Sequence, residues 1–213
     1  MNFEELGLCK EIISSINEKG YKNPTEIQRS AIPHILTGRD LLGCAQTGTG
    51  KTGSFIMPLA EILSSGKSKS RMPRSLILAP TRELAMQVAD EFNFINKFLK
   101  LQMALLIGGV SFTEQDNKLA KGVDVLVATP GRLIDHIERG NVIIKDVKIL
   151  IIDEADRMLD MGFIPDIMKI NKLLPKIRQT LFFSATLNKE ILNIGKRFVI
   201  NPKLIEVAPP SST

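Results

Sequence analysis

Residues Leu41–Met57 read LLGCAQTGTGKTGSFIM, and this stretch combines the three patterns that decide the fold. The run Leu41–Ala45 is short and apolar, as in a strand that is buried on both faces. A glycine-rich loop follows it, and Phe55 then opens an apolar segment of helical character. The order strand, glycine loop, helix is typical of α/β domains in which the chain binds a ligand just after a strand.

The same alternation of apolar runs and helical segments extends along the rest of the chain. A helical stripe is formed by Leu84, Val88, Phe92, Ile95 and Leu99. Repeated strand and helix units need right-handed crossovers between parallel strands, so the sequence predicts an open α/β sheet of about seven strands covered by helices. The other predicted strands are Leu76–Ala79, Met103–Ile107, Val123–Ala128, Val147–Ile152, Leu181–Phe183 and Leu204–Val207.

Composition narrows the class of protein. The 213 residues are 44% hydrophobic and 24% charged, which is ordinary for a globular domain and excludes disorder and coiled coil. The length fits one large domain or two small ones. No apolar run is long enough to span a membrane, and the chain starts with an acidic segment, so we expect a cytoplasmic protein without membrane contact.

The formal net charge of +5 is compatible with a polyanionic partner. The main basic cluster contains Lys67, Lys69, Arg71 and Arg74 in a stretch rich in serine and glycine. Such a stretch predicts a surface loop, which is either simply solvated or in contact with phosphate groups.

The glycine loop has the composition of a phosphate-binding loop. Glycines let successive backbone N–H groups point at phosphate oxygens, and the following helix adds its positive end. In this interpretation Lys51 reaches the β and γ phosphates of a nucleotide, and the Thr52 hydroxyl binds Mg²⁺. Ala45 stands where the pattern GxxxxGK[ST] has its first glycine, and a small residue still fits there.

A second chemical cluster follows the apolar run Val147–Ile152. Asp153, at the end of a strand next to the phosphate loop, is placed to hold Mg²⁺ through water. Glu154 is then placed to orient or deprotonate an attacking water. Acidic residues also favour the first turn of a helix, which is the alternative for Asp156.

Together these motifs resemble the ordered motif set of DEAD-box ATP-dependent RNA helicases. The resemblance covers Phe3 to about Val207 and corresponds to the first, N-terminal RecA-like domain of that family. The sequence DRMLDMGF (156–163) is similar to that of bacterial members. The fold that it implies is a RecA-like open parallel sheet with helices on both faces. The matching motifs are AQTGTGKT (45–52), PTRELA (80–85), TPGR (129–132), DEAD (153–156) and SAT (184–186).

The resemblance also implies that residues 3–28 read adenine. Gln28 would hydrogen-bond the adenine edge, Tyr21 would stack on the base, and Phe3 would brace it. The cofactors implied are ATP and Mg²⁺. The remaining residues implied to bind the nucleotide are Gln46, Thr47, Gly48, Thr49, Gly50, Lys51 and Thr52.

Further motifs are implied to bind RNA or to couple RNA to the nucleotide. Contacts of backbone N–H groups and side chains with sugar and phosphate would make RNA binding independent of base sequence. The alternative for each arginine is a salt bridge, and for the hydroxyl residues a helix cap. Ser184 and Thr186 would hydrogen-bond the acidic cluster and take part in catalysis. The implied RNA-binding residues are Pro80, Thr81, Arg82, Gly108, Gly109, Thr129, Pro130, Gly131 and Arg132.

The resemblance sets the expected domain organisation. Residues 1–207 would form the ATP-binding lobe and residues 208–213 the start of an interdomain linker, with the second RecA-like domain absent from this chain. The chain would then be a monomeric fragment that binds adenine nucleotide, hydrolyses little and unwinds nothing alone. Two alternatives stay open: a DNA translocase or other P-loop NTPase, and an ATP-gated RNA clamp.

Overall fold

The computed structural model describes residues 1–209, and these contain one parallel sheet of seven strands. The order across the sheet is β3-β4-β2-β5-β6-β1-β7. The sequence prediction of about seven parallel strands is therefore confirmed. The strands are β1 (Leu41–Cys44), β2 (Ser75–Leu78), β3 (Met103–Leu106), β4 (Val125–Ala128), β5 (Ile149–Ile152), β6 (Gln179–Ser184) and β7 (Lys203–Glu206).

Helices connect the strands as the crossovers require. The predicted stripe of helical spacing lies on α4, but the helix ends at Ile95 and Leu99 follows a short 3₁₀ turn. The α-helices of the described region are α1 (Lys10–Glu18), α2 (Glu26–Leu36), α3 (Lys51–Leu63), α4 (Arg82–Ile95), α5 (Phe112–Ala120), α6 (Pro130–Glu138), α7 (Ala155–Asp160), α8 (Ile164–Leu173) and α9 (Lys189–Gly195).

Two apolar cores lie on opposite faces of the sheet. Helices α1 to α4 pack on one face, where Phe55 and Phe183 meet with ring centroids 5.3 Å apart. Helices α5 to α9 pack on the other face, around residues such as Met158 and Phe182. All residues of β2, β4 and β5 are buried, because successive side chains enter the two cores alternately.

The strand order divides the carboxyl edge of the sheet into two halves. The phosphate loop and the acidic cluster follow β1 and β5, whereas the three segments that resemble RNA-binding motifs follow β2, β3 and β4. The strands that carry the phosphate loop and the acidic cluster are not adjacent, because β6 lies between β1 and β5. The phosphate loop reaches the acidic cluster by crossing the end of β6.

The predicted linker, residues 208–213, falls largely outside the described residues, because the description ends at Pro209.

Candidate functional site

The phosphate loop packs directly against the segment that begins α2. Thr25 caps this helix and forms a capping box with Gln28. The buried Gln28 amide accepts from the Thr25 backbone N–H at 3.0 Å and donates to the Gly50 carbonyl at 3.1 Å. A Cβ atom at Gly50 would lie 2.6 Å from Thr25 Oγ1, so only glycine fits this contact.

Lys51 connects the loop to the acidic cluster. Its Nζ atom lies 2.8 Å from Asp153 Oδ1 and 3.6 Å from Glu154 Oε1, and Arg157 approaches the other Glu154 oxygen at 3.7 Å. Glu154 has a positive φ of 55°, a conformation that costs energy for a residue other than glycine. The backbone turn at Glu154 starts α7 and leaves both carboxylates facing Lys51.

A cavity of about 220 Å³ lies over this cluster. It brings together Tyr21 and Gln28 with the phosphate loop and the two carboxylates, although these residues are far apart in the sequence. Its α4 wall was missed by the sequence analysis, which assigned Leu84 and Val88 to a core stripe and gave Gln87 and Glu91 no role. The lining residues are Tyr21, Gln28, Thr47, Gly48, Gly50, Lys51, Thr52, Gly53, Leu84, Gln87, Val88, Glu91, Asp153 and Glu154.

Three residues predicted to bind the nucleotide do not line this cavity. Phe3 is 5% exposed and belongs to the apolar core on the sheet face covered by α1 to α4. Gln46 and Thr49 lie in the loop itself, where the Thr49 hydroxyl donates to the Gln46 carbonyl at 2.6 Å. Nucleotide contact by these three residues stays a prediction.

Ser184 is the last residue of β6 and Thr186 follows it, between the phosphate loop and the acidic cluster. Ser184 is fully buried, and its hydroxyl accepts the Thr186 backbone N–H at 3.4 Å. Neither residue caps α9, since Asn188 does so through Ile191. Their hydrogen bonds to the carboxylates stay a prediction, because none is formed within residues 1–209 of this structure.

The three segments on the other half of the edge contact one another. The Arg82 guanidinium packs on Gly109, which has a φ of +79°, a backbone conformation that favours glycine. Arg132 donates from Nη2 to the Val110 carbonyl. Backbone hydrogen bonds at the strand ends, such as Thr129 N–H to the Leu106 carbonyl at 3.1 Å, hold the segments in register.

The hydroxyl residues of these segments differ in their roles. Thr81 caps α4 and accepts from Leu84 N–H at 3.2 Å, which is the capping alternative of the sequence analysis. Thr129 begins α6 without a side-chain cap bond, and Gly131 is exposed beside it. The prolines Pro80 and Pro130 are buried. Arg82 and Gly109 are exposed at this surface.

The basic loop lies away from this edge and is held by ion pairs. Arg71 pairs with Asp116, and Arg74 pairs with Asp124 at 2.9 Å while donating to the carbonyls of Leu63 and Ser65. These contacts favour a structural role for the two arginines over phosphate contact.

The acidic cluster fits a hydrated divalent cation. Asp153 Oδ1 is buried and, among the described residues, has no hydrogen-bond partner, although Lys51 lies near it. The Lys51 ammonium balances the charge of this carboxylate, and a cation would satisfy the lone pairs that the ion pair leaves unused. Hard oxygen donors are the ligands that Mg²⁺ prefers, so Asp153 and the Thr52 hydroxyl suit this ion.

The parallel sheet and its glycine-rich loop define a RecA-like domain of the P-loop type. A family model described as DEAD/DEAH box helicase matches residues 25–194. The chain therefore belongs to the DEAD/DEAH box helicase family.

Curated relatives and solved structures agree with this assignment. ATP-dependent RNA helicase DeaD of Buchnera aphidicola (subsp. Acyrthosiphon pisum) is 46% identical over 96% of this chain, and DeaD of Haemophilus influenzae is 41% identical over 97%. This chain spans 34% and 33% of these two relatives.

The crystal structure of a DEAD box protein from Methanococcus jannaschii superposes with a TM-score of 0.91 at 41% identity, and the match covers 98% of this chain and 56% of that one. A hypothetical ATP-dependent RNA helicase from Sulfolobus tokodaii gives a TM-score of 0.85 at 37% identity, covering 93% of this chain and 57% of that one.

None of the helices within residues 1–209 combines the length and the apolar character needed to cross a membrane.

Proposed function

We propose that this chain is the ATP-binding lobe of an ATP-dependent RNA helicase, which couples ATP binding and hydrolysis to RNA binding and local duplex unwinding. One observation carries the proposal: the nucleotide motifs and the RNA motifs occupy adjacent halves of a single sheet edge. A conformational change at one half can therefore alter the other half, because the two halves lie on adjacent strands of one sheet.

Several of the residues that we propose to bind the nucleotide line the cavity described above. Backbone N–H groups of the loop Gln46–Thr52 and the N-terminus of α3 cradle the phosphates. Lys51 neutralises the β and γ phosphates, and on binding it exchanges its carboxylate partners for phosphate oxygens. Tyr21 stacks on the base, and Gln28 reads its edge by donating and accepting hydrogen bonds.

Magnesium supplies charge neutralisation at the phosphates when it is bound, held through Thr52 and Asp153. Glu154 orients the attacking water and accepts its proton. The buried position of Asp153 and the restrained backbone of Glu154 keep the two carboxylates in fixed places before any ligand arrives.

The RNA half has features suited to a nucleic-acid backbone. Arg82 and the glycines at 108 and 109 present charge and accessible N–H groups, as does the start of α6. Such contacts read phosphate and sugar, so the lobe should bind single-stranded RNA without regard to its base sequence.

The lobe alone should bind nucleotide and neither hydrolyse it quickly nor unwind RNA. In related phosphoryl-transfer enzymes an arginine that is supplied from outside the phosphate loop stabilises the transition state and raises the rate of hydrolysis by several powers of ten. Following the resemblance, we assign that role to a second RecA-like domain that would be the partner of this lobe.

Calorimetric titration with Mg-ADP and Mg-GDP tests the nucleotide proposal, repeated with Gln28→Ala. We expect binding that is selective for ADP, with the selectivity lost in the variant. Equal binding of the two nucleotides by the unaltered chain would point to a general P-loop NTPase. Fluorescence anisotropy with matched RNA and DNA oligonucleotides tests the second half, and a preference for DNA would favour the translocase alternative.

A further inference from the structure

The Gln115 side chain lies buried beneath the RNA half of the edge. It is 3% exposed although it is an uncharged polar residue on α5. Its Nε2 atom donates to the Ile107 carbonyl at 2.9 Å, and its Oε1 atom accepts from Arg132 Nε at 3.0 Å. One amide therefore bridges the loop after β3 and the start of α6.

His136 contacts the Gln115 amide oxygen as well. It is fully buried, with Nε2 2.7 Å from Gln115 Oε1 and Nδ1 3.1 Å from Asn141 Nδ2. Since the amide oxygen can only accept, Nε2 carries the proton, and Nδ1 then accepts from the Asn141 amide. The histidine is neutral in this arrangement, and every ring nitrogen has a partner.

Arg132 is held on three sides at once. Besides the Gln115 bond, it donates to the Val110 carbonyl and lies on the face of Phe112, with its guanidinium carbon 3.4 Å from the ring centroid. The carbonyls of Ile107 and Val110 bracket Gly108 and Gly109. The loop that carries the two glycines is thus pinned at both ends.

We propose that Gln115 is a positioning residue that fixes the glycine loop 107–110 and the segment 129–132 in one arrangement competent to bind RNA. The proposal rests on the RNA-binding role given above. It concerns a residue that does not reach the surface and that the sequence motifs do not include. Gln115 acts through Arg132 and the loop, and His136 holds the Gln115 amide in its bridging orientation.

The physical reason lies in preorganisation. A loop with two adjacent glycines has many accessible conformations, and ordering it on RNA binding would weaken the complex. The Gln115 bridge orders the loop in the folded protein before RNA arrives. Without the bridge, the entropic cost of ordering the loop falls on the RNA-binding step and weakens the complex.

The test compares Gln115→Met, which keeps the volume and removes the hydrogen bonds, with the unaltered chain. The affinity for a fluorescein-labelled oligouridylate should fall about tenfold, since one to two hydrogen bonds set the loop. The affinity for Mg-ADP should stay the same within about twofold, because the phosphate loop is not touched. An unchanged RNA affinity in Gln115→Met would overturn the proposal.

Gln179→Met is the matched control for general destabilisation. Gln179 also bonds two backbone carbonyls, those of Ile35 and Arg39 at 2.9 and 2.8 Å, but it lies at the opposite end of the sheet. This control should keep its RNA affinity. An equal loss of RNA affinity in both variants would mean that stability, and not positioning, is responsible.

Gln115→Glu provides a second variant that protects the test against misfolding. Its carboxylate still accepts from Arg132 and His136 but repels the Ile107 carbonyl, so only the loop end is released. The ion pair with Arg132 offsets part of the cost of burying this carboxylate. We expect weaker RNA binding, and RNA affinity equal to that of the unaltered chain would count against the role of Gln115.

Amide NMR signals separate this proposal from the proposed function. The signals of Gly108 and Gly109 should shift, and their hydrogen exchange should quicken, in Gln115→Met but not in Gln179→Met. If the unaltered chain fails to bind the oligouridylate, the RNA-binding function is wrong, and these signals still decide whether Gln115 orders the loop. Unchanged glycine signals would refute the ordering role.

Discussion

Lys51 Nζ lies 2.8 Å from Asp153 Oδ1, and the two side chains are 7% and 4% exposed. This ion pair joins the phosphate loop after β1 to the acidic cluster after β5, across the end of β6. A buried charge is stable only with a partner, so each residue depends on the other until phosphate oxygens and a cation replace the pair.

Removing one partner should therefore cost stability as well as binding. We expect Lys51→Ala to abolish nucleotide binding and to lower the free energy of unfolding of the nucleotide-free chain by about 3 kcal/mol. Adding Asp153→Asn should restore much of that stability without restoring binding. Urea unfolding and calorimetry measure the two effects, and a fully stable single variant would contradict the dependence.

Gly50 and Gly48 provide a matched pair in the phosphate loop. Both have a positive φ, +83° and +85°, but a Cβ atom at Gly50 would collide with Thr25 and Gln28, whereas none of the described residues lies within 4 Å of one at Gly48. Each substitution by alanine carries the backbone cost of about 1–2 kcal/mol. Gly50→Ala should lose more stability and more ADP affinity, as measured by thermal unfolding with and without ADP; equal losses would argue against the close contact.

Glu154→Gln should separate ATP binding from turnover. An amide keeps the shape of the side chain but cannot accept a proton from water, so ATP should still bind while hydrolysis stops in the protein that contains both lobes. Single-turnover assays and nucleotide titration check this. Glu190→Gln, at an exposed position in the first turn of α9, is the control that should leave turnover unchanged.

His136 should make the stability depend on pH. Burial lowers the pKa of His136, and the charges of Arg132 and Arg139 add to this effect against the carboxylates of Asp116 and Asp135. In the unfolded chain this histidine takes up a proton near pH 6.5, whereas in the folded chain burial disfavours its protonated form. Stability should therefore be complete above that pH and fall as the pH decreases through about 6.5.

The measurement is the urea midpoint between about pH 7.5 and 5.5. His136→Gln should flatten the fall on the acid side, even if its stability is lower throughout. His34→Gln is the comparison, because burial also lowers the pKa of His34, which is less buried and should contribute less. A slope in His136→Gln as steep as that of the unaltered chain would contradict the assignment.

The sequence by itself determined the strands of this protein and the position of its glycine loop. Apolar runs such as Ile149–Ile152 identify buried strands because both faces of a parallel strand are covered, and the glycine pattern identifies the phosphate loop because few backbones can curl around an anion. A cap such as Thr25 obeys the same kind of local rule, since an N-cap depends on neighbours within one turn.

Only the tertiary structure decided which loops meet. Strand order depends on how helices pack over the whole sheet, so the position of β6 between β1 and β5, and the division of the edge into two halves, have no local signal. The α4 wall of the cavity and the Gln115 bridge could not be predicted from the sequence for the same reason. Glu91 and Gln115 have the pattern of ordinary polar helix residues, and only distant segments of the folded chain give them their contacts.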